Sequence, residues 1–351
     1  MKIRIYSFIF LLCLLGCSGL QDNDPYLRSL GLDSISLEPL EAVDLDQYGF
    51  ISCNEFAVFE NDWMAIWCPR DQYFVSLLNF RTGQEIPLLR RGRGPGEFAN
   101  PTGFDAKTRS LLMSDSSSHT IVSVDIPQSI AAGRAMMDTV LQWKDVPYMV
   151  RPHCLSNGYF VASGINPSTP EWFTLRDSEG NVLSGLPAPF PEEIKSMNMS
   201  ALASFVGSTI FTSSPSGDLV CAAMVPAAAL SFSSVVNGSL RETIRIEADP
   251  LRSTTIKWNG TPSKTLKRNF VSVRSDSRNV YLLYSGEFVG QSDTSDECNR
   301  FIIYDWAGTP VHSFILSHRI GSMDVRNGKI YGISIYPSIR LLIFDLPDYS
   351  K

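Results

Sequence analysis

One pattern recurs six times along the chain and limits its fold more than any other feature. Each unit has a polar turn, an apolar strand-like run, a gap, and a second apolar run that ends near an aspartate, followed by a Gly or Asn turn. The first runs start at Asn61, Thr108, Ser156, Ser216, Ser277 and Asn327, at spacings of 47, 48, 60, 61 and 50 residues. Their partners are Phe74–Phe80, Ile121–Asp125, Trp172–Asp177, Ala229–Phe232, Phe301–Asp305 and Leu341–Asp345; the fourth lacks the closing aspartate. The runs are short and rich in β-branched and aromatic residues, which marks strands. Units near fifty residues with several strands each predict an all-β fold, a six-bladed β-propeller with four-stranded blades around a channel. A two-sheet sandwich does not account for so many repeats, and a solenoid normally uses shorter ones. The spare run Ser34 to Leu45 (Ile35, Leu37, Leu40, Val43) is expected to complete the last blade and close the ring, leaving no long open edge. One short helix is expected from Pro191, with Ile194, Met197, Ala201 and Phe205 on one face.

The N-terminus carries an address. Lys2 and Arg4 precede an uncharged stretch from Ile5 to Gly16. Twelve residues are too few to cross ~30 Å of hydrocarbon at ~1.5 Å per residue, so the pattern is that of a secretory signal. Its end, Leu14-Leu15-Gly16-Cys17, resembles the bacterial lipobox. That resemblance implies a diacylglyceryl group on Cys17 and an outer-membrane lipoprotein with the lipid as its membrane tie. The expected organisation is a signal peptide at 1–16, a lipid-anchored tether at 17–32 and the propeller at 33–351. Asp22 and Asp24 behind the cysteine resemble surface-export signals of Bacteroidetes lipoproteins, so the cell surface and the periplasmic face are both open.

The chain has 30 Lys+Arg against 36 Asp+Glu, a net charge of −6. Removing residues 1–16 takes Lys2 and Arg4 and leaves 28 against 36, or −8. Such a chain lacks the basic field of a nucleic-acid binder.

Arg91-Gly92-Arg93-Gly94-Pro95-Gly96-Glu97-Phe98 with Asn100-Pro101 resembles a loop common in Bacteroidetes six-bladed propeller lipoproteins. Val280–Gly286, Ile303–Pro310 and Gly328–Ile333 look like the final blades of the TolB-like six-bladed propeller family. The resemblance implies a structural framework and brings no known chemistry with it. The expected function is therefore a non-catalytic binding or interaction scaffold. The alternative is a hydrolase or lyase acting on glycans or peptides in the channel.

Chemical motifs are sparse. The glycines of Gly92-x-Gly94-x-Gly96 lack the Gly-Lys-Ser/Thr ending of a phosphate loop and read as a tight inter-blade turn. His119, His153, His312 and His318 have no metal-ligand spacing. Asp293, Asp296 and Glu297 do not match a calcium loop, and no Gly-x-Ser-x-Gly elbow occurs. No cofactor is expected. Five cysteines remain after Cys13 and Cys17 are set aside; Cys53 and Cys68 are placed to bridge neighbouring strands, while Cys154 and Cys221 read as packing residues. In a propeller, ligands meet residues at the entry to the innermost strands. By repeat position those are Arg93 and Glu97 before blade two, Arg151 and His153 before blade three, Arg268 and Asn269 before blade five, and Arg319 before blade six. Their arginine bias on an acidic chain points to a basic mouth for an acidic glycan, a carboxylate or an acidic protein partner.

Overall fold

The computed structural model describes residues 24–68, 70, 72–94, 96–143, 150–163, 171–189, 206–249, 266–289 and 297–348. The signal region, Cys17, the run from Pro191 and Asp293 and Asp296 lie outside them. A short helix α1 (Pro25–Leu30) comes first, then β1 (Ser34–Leu37) and β2 (Glu41–Asp44). Blade one is β3 (Glu55–Val58), β4 (Trp63–Trp67), β5 (Tyr73–Asn79) and β6 (Glu85–Arg90). Blade two is β7 (Pro101–Ala106), β8 (Ser110–Asp115), β9 (Thr120–Asp125) and β10 (Met137–Gln142), with helix α2 (Ile126–Ala132) between its last two strands. Blade three is β11 (Val150–Cys154), β12 (Phe160–Ser163), β13 (Glu171–Arg176) and β14 (Val182–Pro187). Blade four is β15 (Thr209–Ser213), β16 (Leu219–Met224), β17 (Ala228–Val236) and β18 (Ser239–Asp249). Blade five is β19 (Lys267–Ser275), β20 (Asn279–Phe288), β21 (Cys298–Asp305) and β22 (Pro310–Ile320). The last blade holds β23 (Ser322–Arg326), β24 (Lys329–Ser334) and β25 (Arg340–Asp345).

The six-bladed, four-stranded propeller is thus the fold. The paired apolar runs are the second and third strands of each blade, not the first and second. Neighbouring blades cover both faces of those middle strands, so β8 and β16 are buried almost throughout. The outermost β10 and β14 are largely exposed, with one buried residue each, and the innermost strands line the axis, so neither reads as a continuous apolar run.

The N-terminal segment closes the ring in two pieces. Strand β2 pairs antiparallel with β25 as the fourth strand of blade six, while β1 lies parallel to β22 as a fifth strand on blade five. Pro39 falls between them; with no N–H and a fixed φ it interrupts what the sequence suggested as one strand. Packing also starts earlier than residue 33. Asp24 caps α1 by accepting from the Tyr26 N–H, and Tyr26 is fully buried. Residues 24–32 are therefore part of the folded domain and not tether.

Apolar clusters fill the seams between blades. Between blades four and five, Tyr26, Phe232, Phe270, Tyr284 and Tyr304 pack together. Between blades two and three the cluster is much smaller among the described residues: Leu112, Ile121, Leu141, Trp143, Cys154, Phe160 and Ala162. All five described cysteines are buried free thiols, so Cys53 and Cys68 share an apolar cluster without a bond between them.

Candidate functional site on the propeller axis

The innermost strands all run from one face of the disc to the other. Where they begin, a cavity of about 480 Å³ is lined by residues from every blade, including Glu55, Asp105, Arg151, Arg268, Arg274 and Ser322. Where they end, a second cavity of about 540 Å³ reaches outward between blades two and three, past Lys107, Cys154, Phe160, Ser213 and Arg326. His153 and Arg274 line both and form the waist between them.

The waist is built by one residue near the end of the innermost strand in each of blades two to six. On blade two, Asp105 is buried (7% exposed), and its Oδ2 accepts from the Cys154 N–H of the next blade at 2.8 Å and from Lys107 Nζ at 2.9 Å. Asp324 of blade six does the same for blade one, accepting from the Val58 N–H at 2.8 Å. These carboxylates latch one blade to the next. Asp105 Oδ1 lies 3.1 Å from His153 Nδ1, and His153 Nε2 lies 2.9 Å from Ser213 Oγ. With Nδ1–H donating to the carboxylate, Nε2 accepts from the serine hydroxyl. Arg274 donates to Glu55 at 3.2 Å and to the Phe56 carbonyl at 3.1 Å, and stands 3.7 Å from Asp324.

Electrostatics follow from this burial. Desolvation pulls the His153 imidazole below its ordinary range; Asp105 opposes that, and Lys107 and Arg274 reinforce it. Desolvation pushes the Asp105 carboxyl up, but His153 and then Lys107 outweigh it and hold the acid well below the usual carboxylate range. At neutral pH the waist holds a carboxylate and a neutral imidazole.

Three of the residues singled out in the sequence meet at the first cavity: Arg151, His153 and Arg268. Arg151 is exposed and sits at φ 48 inside β11, beside a register shift against β12. The other described non-glycine residues with positive φ are Asn61, Asp62, His119, Asn237 and Asn327, all in turns. A left-handed arginine inside a strand costs about 1–2 kcal/mol, and strain of that kind gathers at functional positions. Gly103 permits the arrangement, because a Cβ there would lie 3.3 Å from Pro152 and 3.4 Å from the Arg151 backbone.

The other four candidates sit elsewhere. Glu97 folds back within its own loop, accepting from the Gly94 N–H at 2.9 Å and standing 3.5 Å from Arg90. Arg93 is exposed on the same loop and lines neither cavity. Asn269 is 1% exposed and accepts from the Tyr284 hydroxyl at 3.3 Å, in the seam between blades four and five. Arg319, on the fourth strand of blade five, is held by both Glu287 oxygens at 2.7 and 2.8 Å. Their position before an innermost strand puts them near the axis in sequence, but each finds a partner or solvent before reaching it.

The residues missed were Asp105, Ser213, Arg274 and Asp324. A signal existed: these four and His153 each stand three residues ahead of a repeat start. Among the described residues no group of three or more His, Cys, Asp or Glu could hold a metal ion, and no helix is long and apolar enough to cross a membrane.

Comparison with curated proteins finds no match. Solved structures share the overall fold at low identity. A Bacteroides fragilis protein described as a candidate exported protein is 11% identical, over 89% of this chain and 99% of its own, with a TM-score of 0.47. The calcium-binding protein regucalcin from Agrobacterium tumefaciens is 8% identical over 89% and 97%, at 0.46. BamB from Moraxella catarrhalis is 11% identical over 88% and 99%, at 0.42. The model of one family, described as TolB-like 6-blade propeller-like, matches residues 57–328, and the chain belongs to that family.

Proposed function

We propose that the protein is a lipid-anchored binding scaffold of the bacterial outer membrane, of the kind found in Bacteroidetes, that takes carboxylate-bearing ligands in the mouth of its propeller. The anchor reading rests on the signal-like residues 1–16 and on Cys17. The binding reading rests on one observation above the others. Arg151 is held in a costly backbone conformation so that it lines a cavity to which all six blades contribute. The two acids there, Glu55 and Asp105, are already satisfied by Arg274 and by Lys107 and His153. Arg151 thus faces a cavity whose two lining acids are already held by other groups, and a carboxylate is the group that complements it.

Titration calorimetry with an acidic oligosaccharide, an acidic peptide and a neutral dextran tests the proposal. The acidic ligands should bind, more tightly at low salt than at high. Arg151→Ala should weaken them by about tenfold, the loss of one charge-assisted hydrogen bond. Equal binding of dextran, or no change in the variant, would overturn it.

A further inference from the structure

The far cavity invites a different chemistry from the mouth. Ser213 Oγ, His153 Nε2, His153 Nδ1 and Asp105 Oδ1 form a continuous hydrogen-bonded chain, with steps of 2.9 and 3.1 Å across the rings and carboxylate. The three side chains come from the innermost strands of three successive blades, in the chain order Asp, His, Ser. We infer that Ser213, His153 and Asp105 form a serine acyl-transfer site that hydrolyses carboxylic esters carrying a negative charge, with its substrate in the 540 Å³ cavity.

Each member occupies the environment its role needs. Ser213 is half-buried and lines the cavity. His153 is kept neutral by burial and so is able to accept the serine proton. Asp105 is ionised and fixed by Cys154 and Lys107, which holds the ring with Nδ1 protonated and Nε2 toward the serine. Lys107 and Arg274 line the same cavity already paired with Asp105 and with Glu55 and Asp324, and Arg326 beside them places positive charge near an acidic substrate and the oxyanion it forms.

The blade latch does not require this chain. Asp324 latches blade six to Val58 of blade one as Asp105 latches blade two to Cys154. The residue before Val58, matching His153, is Ala57, so the ring closes on alanine at this register. The histidine and the serine bonded to it are additions to a joint that works without them.

In the first step Ser213 Oγ attacks the ester carbonyl while its proton passes to His153 Nε2. The C–O bond to the alcohol then breaks, and the leaving alkoxide takes that proton. Water attacks the acyl-serine, gives its proton to His153, and the Ser213 oxygen recovers it as the acid departs.

A fluorophosphonate probe on the purified full chain, followed by peptide mapping, tests this. Ser213 should carry the label, and Ser213→Ala should carry none there. His153→Ala should fold, since blade one holds alanine at that register, and should label at least about 10²-fold more slowly. In the unaltered protein the rate should fall on acidification as His153 protonates among Asp105, Lys107 and Arg274. Hydrolysis of a nitrophenyl ester of succinic acid should exceed that of nitrophenyl acetate about tenfold, and equal rates would overturn the charge selectivity. An unlabelled Ser213 in folded protein, or labelling whose rate ignores both His153→Ala and pH, would overturn the site.

Discussion

The seam between blades four and five and the seam between blades two and three are closed by opposite means. In the first, α1 drives Tyr26 between the blades, edge-on to Phe270 at 5.5 Å and 4.6 Å from the Tyr284 ring, with its hydroxyl 2.9 Å from that of Tyr304. The joint is aromatic and sealed. In the second, the apolar cluster is small, a cavity runs into it, and Asp105, paired with Lys107 of its own blade, makes the polar contacts across it to His153 and the Cys154 N–H. The strained Arg151 stands at its mouth end. Functional groups gather where apolar packing is thinnest, because there a polar side chain faces an opening and not a filled core. The sealed seam supplies stability that the open one does not.

The largest effect should follow from attacking the sealed seam. Tyr26→Ala removes a fully buried aromatic and leaves the Tyr304 hydroxyl without its partner. A loss of about 3–5 kcal/mol is expected in chemical denaturation. If the loss were below about 1 kcal/mol, α1 would be an ornament on the disc and the contrast between the seams would fail.

The open seam should instead be the pH-sensitive one. The folded His153 has a pKa below its unfolded value, so below about pH 6.5 the unfolded chain takes up a proton that the folded chain refuses. Stability therefore falls as pH drops. Asp105 adds to the fall at lower pH, below about 4, because its depressed pKa favours folding only while the unfolded carboxyl would also be charged. Thermal melts between pH 7 and 5 should slope less in His153→Ala than in the unaltered protein. Parallel slopes would remove His153 from the account.

The smallest effect sharpens the contrast at the mouth. Arg151→Gly relieves the left-handed strain and should raise stability by up to about 1 kcal/mol, while weakening carboxylate binding as Arg151→Ala does. A destabilised Gly variant would mean that the arginine side chain, and not the ligand, holds β11 in place.

How much of this was readable in the sequence depended on burial. The middle strands announced themselves because both their faces are covered, as in Leu111-Leu112-Met113 and Val280-Tyr281-Leu282. The innermost strands did not: Val150-Arg151-Pro152-His153-Cys154 carries a proline and two polar residues because one side faces the channel. The waist was harder to read for a different reason: Asp105, His153 and Ser213 are far apart in the chain, share only their place three residues before a repeat start, and meet only when successive blades pack. Helix α1 had its signals, with Asp24 as the cap, Pro25 at the first position and Gly31 at φ 64 closing it. Those signals were overshadowed by the polar, tether-like residues before them.

The position of α1 also fixes an orientation. It docks beside Lys267, at the start of β19, and beside the end of β18, which places it on the face of the disc where the mouth opens. Asp24 stands seven positions beyond Cys17, a reach of no more than about 25 Å when fully extended. On the lipid-anchored proposal the mouth then looks toward the bilayer and not away from it. A long polymer would have to thread the gap from the side, whereas a small acidic molecule, or a headgroup of the membrane itself, arrives at Arg151 directly. The far cavity, with Ser213, would be the face presented to the surrounding medium.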